Sequence, residues 1–326
     1  MEILKKYLLA FQKLHIDRSH GNAPHKPILL LSILQLYQNR QISDNRIYLT
    51  PELVATFKST WSLLVVTPHD FRISYPFYYL KSDKFWKLIP KPGFENVDQM
   101  GSIMKSFSSL NSAIDYALIS DDLYLLMNDA HSNLVLQQLL LNEYFPVTKS
   151  NFSNCENGQL NLFSMLENKI LHEDAGEYRA EIQNLIKEND EEEIFLRGSI
   201  FKREIPKIYN YTCCISGMKI NSISSVSMVD ACHIVPFSQS FDDTINNGIA
   251  LCPNLHRAFD RGLIAIDSDY KVKVSKIFNE ERSIYSIKAF EGQRALLPAE
   301  HKFYPLKENL EWHRINKFEK LFSNIN

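Results

Sequence analysis

One stretch of the 326-residue chain, DACHIVPFSQSFDDTINNGIALCPNLHRAFDRG (residues 230–262), constrains the fold more than any other. VDACHIVPF alternates like a strand and is stopped by Pro236, since proline has no N–H to give a sheet ladder. Asn246-Asn247-Gly248 is turn chemistry, and IALC is a short return strand. Cys252-Pro253-Asn254 then opens a helix, with Asn254 or the residues before it as the cap and proline in the first turn. Strand, turn, strand and helix follow within about thirty residues, a compact α+β unit.

The length is enough for two domains with separate cores. With 45% hydrophobic and 23% charged residues, the composition is that of an ordinary globular protein. No apolar run reaches the roughly 18 residues that a membrane-spanning helix needs. The opening MEILKKYLLAFQKLH has lysines interrupting its apolar stretch and no small-residue cleavage site, so it does not read as a secretory signal. Five irregularly spaced cysteines suit a reducing, cytoplasmic setting better than a disulfide framework. A net charge of −2 excludes a basic, indiscriminate nucleic-acid coat and leaves DNA binding to local, shaped sites.

Along the chain, residues 1–150 read as one domain, 151–189 as a helical connection, and 190–326 as a second domain. The first opens with a helix over 2–15, and ILLLSILQLY is too continuously apolar for a surface helix. Thr50-Pro51-Glu52 is a strong helix start: hydroxyl cap, proline, then an acid in the first turn. YPFYYLKSDKFWKLIP reads as a β-hairpin turning at Lys81-Ser82-Asp83-Lys84, and residues 109–145 as two or three short helices. The connecting segment carries a short helix near 160–170 and a charged one over 177–189, with a further helix ending near Pro206. IAID and YKVKVS read as a closing hairpin.

His233, Asn247 and His256 fall at the joints of the strand–turn–strand–helix stretch, fourteen and then nine residues apart. His256 and Asp260 lie four apart on the helix and share one face. Imidazole plus carboxylate on one face suits a divalent cation such as Mg²⁺ or Mn²⁺, held against a phosphodiester. A lone histidine is more often structural; the spacing, the turn and HRAFDRG together carry this reading.

These residues resemble the HNH, or ββα-metal, endonucleases, particularly McrA-like restriction enzymes. The resemblance implies His233 as general base for the attacking water, Asn247 as the residue steadying His233 and its loop, His256 as metal ligand and Asp260 as a second ligand. Many relatives carry Asp or His immediately before the first histidine, where this chain has Cys232. Asp230 is a further candidate ligand, although period-two alternation points it away from His233. A structural zinc is not expected: CCISG (213–217) and CPNL (252–255) each keep only part of a Cys-x-x-Cys pair, and buried reduced thiols are the simpler reading.

APHKPILLLSIL, LTPELVATFKSTWSLLV and YPFYYLKSDKFWKLIPKPGF in turn resemble the sulfur-binding domain of phosphorothioate-dependent restriction enzymes. That resemblance implies a socket lined by Tyr75 and Pro76, with Tyr79 on its far wall, and with His25, Lys26 and Arg72 holding backbone or base edges. Sulfur for oxygen in a phosphate leaves the charge but gives a softer, less hydrated atom, so an apolar socket favours it. The expected whole is α+β: a mostly helical DNA reader with a β-hairpin, followed by a ββα-metal nuclease that cuts double-stranded DNA as a homodimer. The alternatives are an HNH nuclease reading a methylated base, and a non-cleaving DNA-binding protein whose site has decayed.

Overall fold

The structure, a computed structural model, describes residues 2–18, 22–101, 103–154, 162–220, 227–281, 283 and 285–320. The chain divides into two compact units. One comprises residues 1–165 with 191–196, the other residues 166–190 with 197–326. No helix among the described residues is long and apolar enough to cross a membrane.

The first unit contains α1 (Glu2–Gln12), α2 (His25–Gln38), β1 (Arg46–Ile47), α3 (Pro51–Leu64), α4 (Ser74–Tyr79), β2 (Trp86–Pro90), α5 (Phe107–Ala113), β3 (Ile114–Ile119), α6 (Asp121–Asn128), α7 (Ala130–Tyr144) and α8 (Lys149–Asn154). The apolar run of α2 is its centre: Ile28 through Leu31, Ile33 and Leu34 are fully buried. A helix apolar all round has to be covered all round, and α3, α4, α6 and α7 pack on it. Thr50 caps α3 as its sequence implies, its hydroxyl accepting from Leu53 N at 3.2 Å.

Two local expectations are corrected. YPFYYLKSDKFWKLIP is no hairpin: Ser74–Tyr79 is helical, a 3₁₀ turn follows at Leu80–Ser82, and only Trp86–Pro90 is extended. Pro76 can donate nothing to a ladder but is tolerated in a helix's first turn. Helical winding buries Phe77, Tyr78 and Leu80, and Phe77 meets Trp86 edge-on at 5.2 Å. Residues 109–145 are also not all helical, because Ile114–Ile119 is the central strand of an antiparallel sheet ordered β1-β3-β2. This pairing joins residues far apart in sequence, and local pattern does not report it.

The second unit contains α9 (Leu162–His172, from Leu166 onward), α10 (Ala175–Glu188), α11 (Glu191–Ile208, from Arg197 onward), β4 (Asp230–His233), α12 (Phe237–Ser240), β5 (Gly248–Leu251), α13 (Pro253–Asp260), β6 (Ile264–Ile266), β7 (Val272–Val274) and α14 (Lys307–His313). Residues 166–189, part of the connection expected over 151–189, pack as part of this unit, and α11 runs through Pro206 to Ile208. β4 and β5 pair antiparallel with His233 opposite Gly248 and Asp230 opposite Leu251. Paired residues share a face, so one face shows Ala231, His233, Gly248 and Ala250, and the other Asp230, Cys232, Ile249 and Leu251. α11 covers the first face so closely that a Cβ on Gly248 would overlap Ile205 and Phe201. α13 packs on the hairpin from the side of Cys232. Phe201, Ile205, Cys214, Cys232, Ile249, Leu251 and Phe259 form the centre of the core.

Candidate active site and candidate reader cavity

His233 ends β4, half-buried, with its ring stacked on Phe201 at 4.0 Å and 9°. Its Nε2 lies 2.7 Å from Asp243 Oδ1. Asp243 is 3% exposed, and its other oxygen accepts from the Tyr178 hydroxyl at 3.3 Å. Burial and the Asp243 carboxylate together push the Tyr178 hydroxyl far above its ordinary range, so it stays a donor. A carboxylate can only accept, which places the histidine's proton on Nε2 and leaves the Nδ1 lone pair free to take a proton. This is the arrangement of a general base held in one tautomer by a buried acid.

Asn247, fully buried at the end of a 3₁₀ turn (Ile245–Asn247), works on the loop between the strands. Its Oδ1 accepts from Val235 N at 2.9 Å, and its Nδ2 donates to Val235 O and to Asp242 O, each at 2.9 Å. Asn247 therefore fixes the segment that follows His233, while the ring itself is held by Asp243 and Phe201.

Asp230, Cys232, His256 and Asp260 gather on the other face. His256 Nε2 lies 3.5 Å from Asp260 Oδ2, one helical turn on, and its Nδ1 lies 3.5 Å from Asp230 Oδ2. Cys232 Sγ, a His256 ring nitrogen and an Asp260 oxygen all lie within 4.8 Å of one another. Strand alternation, which points Asp230 away from His233, is what carries it to α13. A thiol, an imidazole and a carboxylate converging at one point fit a divalent cation. Cys213 and Cys252 converge on Ser216 (Ser216 N to Cys213 Sγ 3.5 Å, Ser216 Oγ to Cys252 Sγ 3.9 Å), and the Cys252 thiol donating to Cys213 draws the latter below the usual thiol range. Cys155 lies outside the described residues.

In the first unit, His25, Lys26, Tyr75, Pro76 and Tyr79 line one cavity of about 680 Å³; Arg72 is not part of its wall. The start of α2 brings His25 and Lys26, and α4 brings the other three. His15, His69 and Lys105 also line it, and their scattered positions gave no local signal in the sequence. His25 stacks obliquely between Trp61 (4.8 Å) and Tyr75 (5.8 Å), with its Nε2 2.9 Å from Asp70 O. Burial lowers its affinity for a proton. Lys26 departs from the expectation of an outward contact: it is 6% exposed, and its ammonium is committed to Asp83 and to Ser82 Oγ (2.9 Å). An unpaired buried carboxylate at Asp83 would be costly, so Lys26 serves the wall of the cavity.

Residues 213–267 match the family described as HNH endonuclease. No curated protein matches the chain. Among solved structures, the chain resembles a protein titled "Modification dependent TagI restriction endonuclease", at 18% identity over 36% of each chain with a TM-score of 0.26, a likeness too slight to argue from. Two histidines, an asparagine and the strand–turn–strand–helix geometry thus fall inside the matched span, and the chain carries an HNH endonuclease domain.

Proposed function

We propose that the protein is a modification-dependent DNA endonuclease, whose HNH domain hydrolyses a phosphodiester while its N-terminal unit reads a phosphorothioate nearby. The observation that carries the cleavage reading is the pairing of His233 with buried Asp243 inside an HNH span. His233 Nδ1 takes the proton of the attacking water, Asp243 keeps the imidazole in that tautomer, and Asn247 keeps the following loop in place. His256 and Asp260 would hold a divalent cation, with Asp230 turning the His256 ring through its other nitrogen. When bound, that cation supplies charge stabilisation to the phosphate and to the departing 3′ oxygen, leaving a 5′ phosphate. One such centre cuts one strand, so double-strand cleavage calls for two copies of the chain, most simply as a homodimer.

The reader half rests on the convergence of Tyr75, Pro76, Tyr79 and His25 in one cavity. Apolar rings and proline suit a weakly hydrated sulfur, and Lys105 on the cavity wall offers charge to the phosphate beside it. A second reading is kept because a volume of about 680 Å³ is that of a small-molecule site and exceeds what one sulfur atom needs. An extruded methylated base, stacked on Tyr75, would use that room. Binding of the cleavage-dead His233→Ala variant to matched duplexes carrying a phosphorothioate, a methylcytosine or neither tests the two. Preference for sulfur supports the first reading and preference for the methylated base the second. Equal binding to all three removes modification reading altogether.

A further inference from the structure

We infer that Cys232 is a thiolate ligand of the HNH cation, and that it tunes the site toward borderline transition metals, Zn²⁺ or Co²⁺, and away from Mg²⁺. The inference rests on the nuclease reading only for the site's location; the metal preference comes from the residues themselves. Cys232 ends no helix and packs at no surface. It is fully buried on the strand face that α13 covers, yet its sulfur lies within 4.8 Å of ligand atoms of His256 and Asp260. Two ligands of one tetrahedral ion with bonds of about 2.1 Å stand about 3.4 Å apart. The 3.5 Å between His256 Nε2 and Asp260 Oδ2 already meets that spacing. A sulfur bond of about 2.3 Å reaches farther than an oxygen bond, which suits the more recessed donor on the strand.

The donor set decides the ion. Mg²⁺ demands six hard oxygens in near-octahedral array and sheds its water reluctantly. One sulfur, one nitrogen and one carboxylate, with a fourth position left open for water or substrate, is instead the pattern of a catalytic zinc-type site. Asp230, 3.5 Å from His256 Nδ1, completes the carboxylate–histidine–metal alignment that fixes a ligating ring. The expectation of Mg²⁺ or Mn²⁺ from imidazole and carboxylate alone omits the sulfur.

The test is a Co²⁺ titration of the full chain without DNA, followed by absorption spectroscopy. A near-ultraviolet thiolate-to-cobalt charge-transfer band is expected, abolished in Cys232→Ser and retained in Cys213→Ser and Cys252→Ser. Calorimetry is expected to show Co²⁺ and Zn²⁺ binding roughly tenfold or more weaker in Cys232→Ser. In Cys232→Asp, where the ligand is hard, the ratio of Co²⁺ to Mg²⁺ affinity should fall. Should the buried position tolerate neither change, Asp260→Asn on the exposed side of the site should weaken Co²⁺ by a similar factor in a folded protein. A band that survives in Cys232→Ser, a band that follows Cys213 and Cys252, an Asp260→Asn variant with unaltered Co²⁺ binding, or Co²⁺ bound without any sulfur band each overturns the assignment. None of these readouts involves cleavage, so loss of the nuclease reading would register separately.

Discussion

Asp243→Asn isolates the contribution of a single buried oxygen. In the native site one Asp243 oxygen takes the Tyr178 hydroxyl at 3.3 Å and the other takes His233 Nε2–H at 2.7 Å. Asparagine is isosteric but offers one acceptor and one donor. Tyr178 is fully buried and can only donate usefully here, so the amide oxygen is drawn to it and the NH₂ group is turned toward His233. Nε2 must then accept, the ring proton moves to Nδ1, and the lone pair that should take the water's proton is lost. Placing a catalytic histidine in the wrong tautomer costs on the order of 10³–10⁴-fold in rate, about 4–5 kcal/mol of barrier. The assay is single-turnover cleavage of a cognate duplex with saturating metal, accompanied by DNA-binding anisotropy and a thermal melt. A rate reduced by roughly a thousandfold, with affinity and melting temperature little changed, is expected. A rate within about threefold of wild type would refute the tautomer argument, since no smaller effect is compatible with it.

Other outcomes follow from the same geometry. Asn247→Ala removes the acceptor of Val235 N and the donors to two buried carbonyls, and should destabilise the second unit by about 3 kcal/mol in denaturant unfolding. His313, 2% exposed and stacked on Phe259 at 3.6 Å, is held down to about 4 by burial, although its bond to Phe259 O opposes this. It is neutral when folded and takes a proton readily when unfolded, so its share of stability is present above pH ~6.5 and is lost as pH falls toward ~4, on the order of 3 kcal/mol. Unfolding followed across that range should flatten in His313→Gln. Pro76→Ala removes apolar wall from the candidate reader cavity; by the loss of roughly two buried methylenes, the proposed sulfur reading has it lower the preference for sulfur-modified duplex about tenfold while leaving plain-DNA affinity unaltered.

What was legible in the chain was local. Pro236 stopping β4, the Asn-Asn-Gly turn, Pro253 in the first turn of α13 and the four-residue step from His256 to Asp260 are short-range signals, and each falls where it was read. Thr50 capping α3 belongs with them. Asp243 was not singled out, because its partner His233 is ten residues away and Tyr178 sixty-five; only the acidic pair in FDDT hinted at it. Alternation points Asp230, a candidate ligand, away from His233, and only the tertiary fold shows that α13 lies on that side and brings His256 to it. Tyrosine and phenylalanine favour strands, so the aromatic run at 75–79 reads as one, but tertiary burial against Trp86 prevails over propensity. The resemblance that gives Lys26 to DNA carries no sign of Asp83, fifty-seven residues on, to which its ammonium is committed.

Cleavage directed by modification is tested on matched plasmids: unmodified, phosphorothioate-modified and cytosine-methylated. Each is incubated with the purified full chain and Mg²⁺, Mn²⁺, Co²⁺ or Zn²⁺, with His233→Ala alongside. Cutting of the sulfur-modified plasmid alone is expected, abolished in the variant, with 5′-phosphate ends. Equal cutting of all three plasmids, or none with any metal while DNA is still bound, would contradict it.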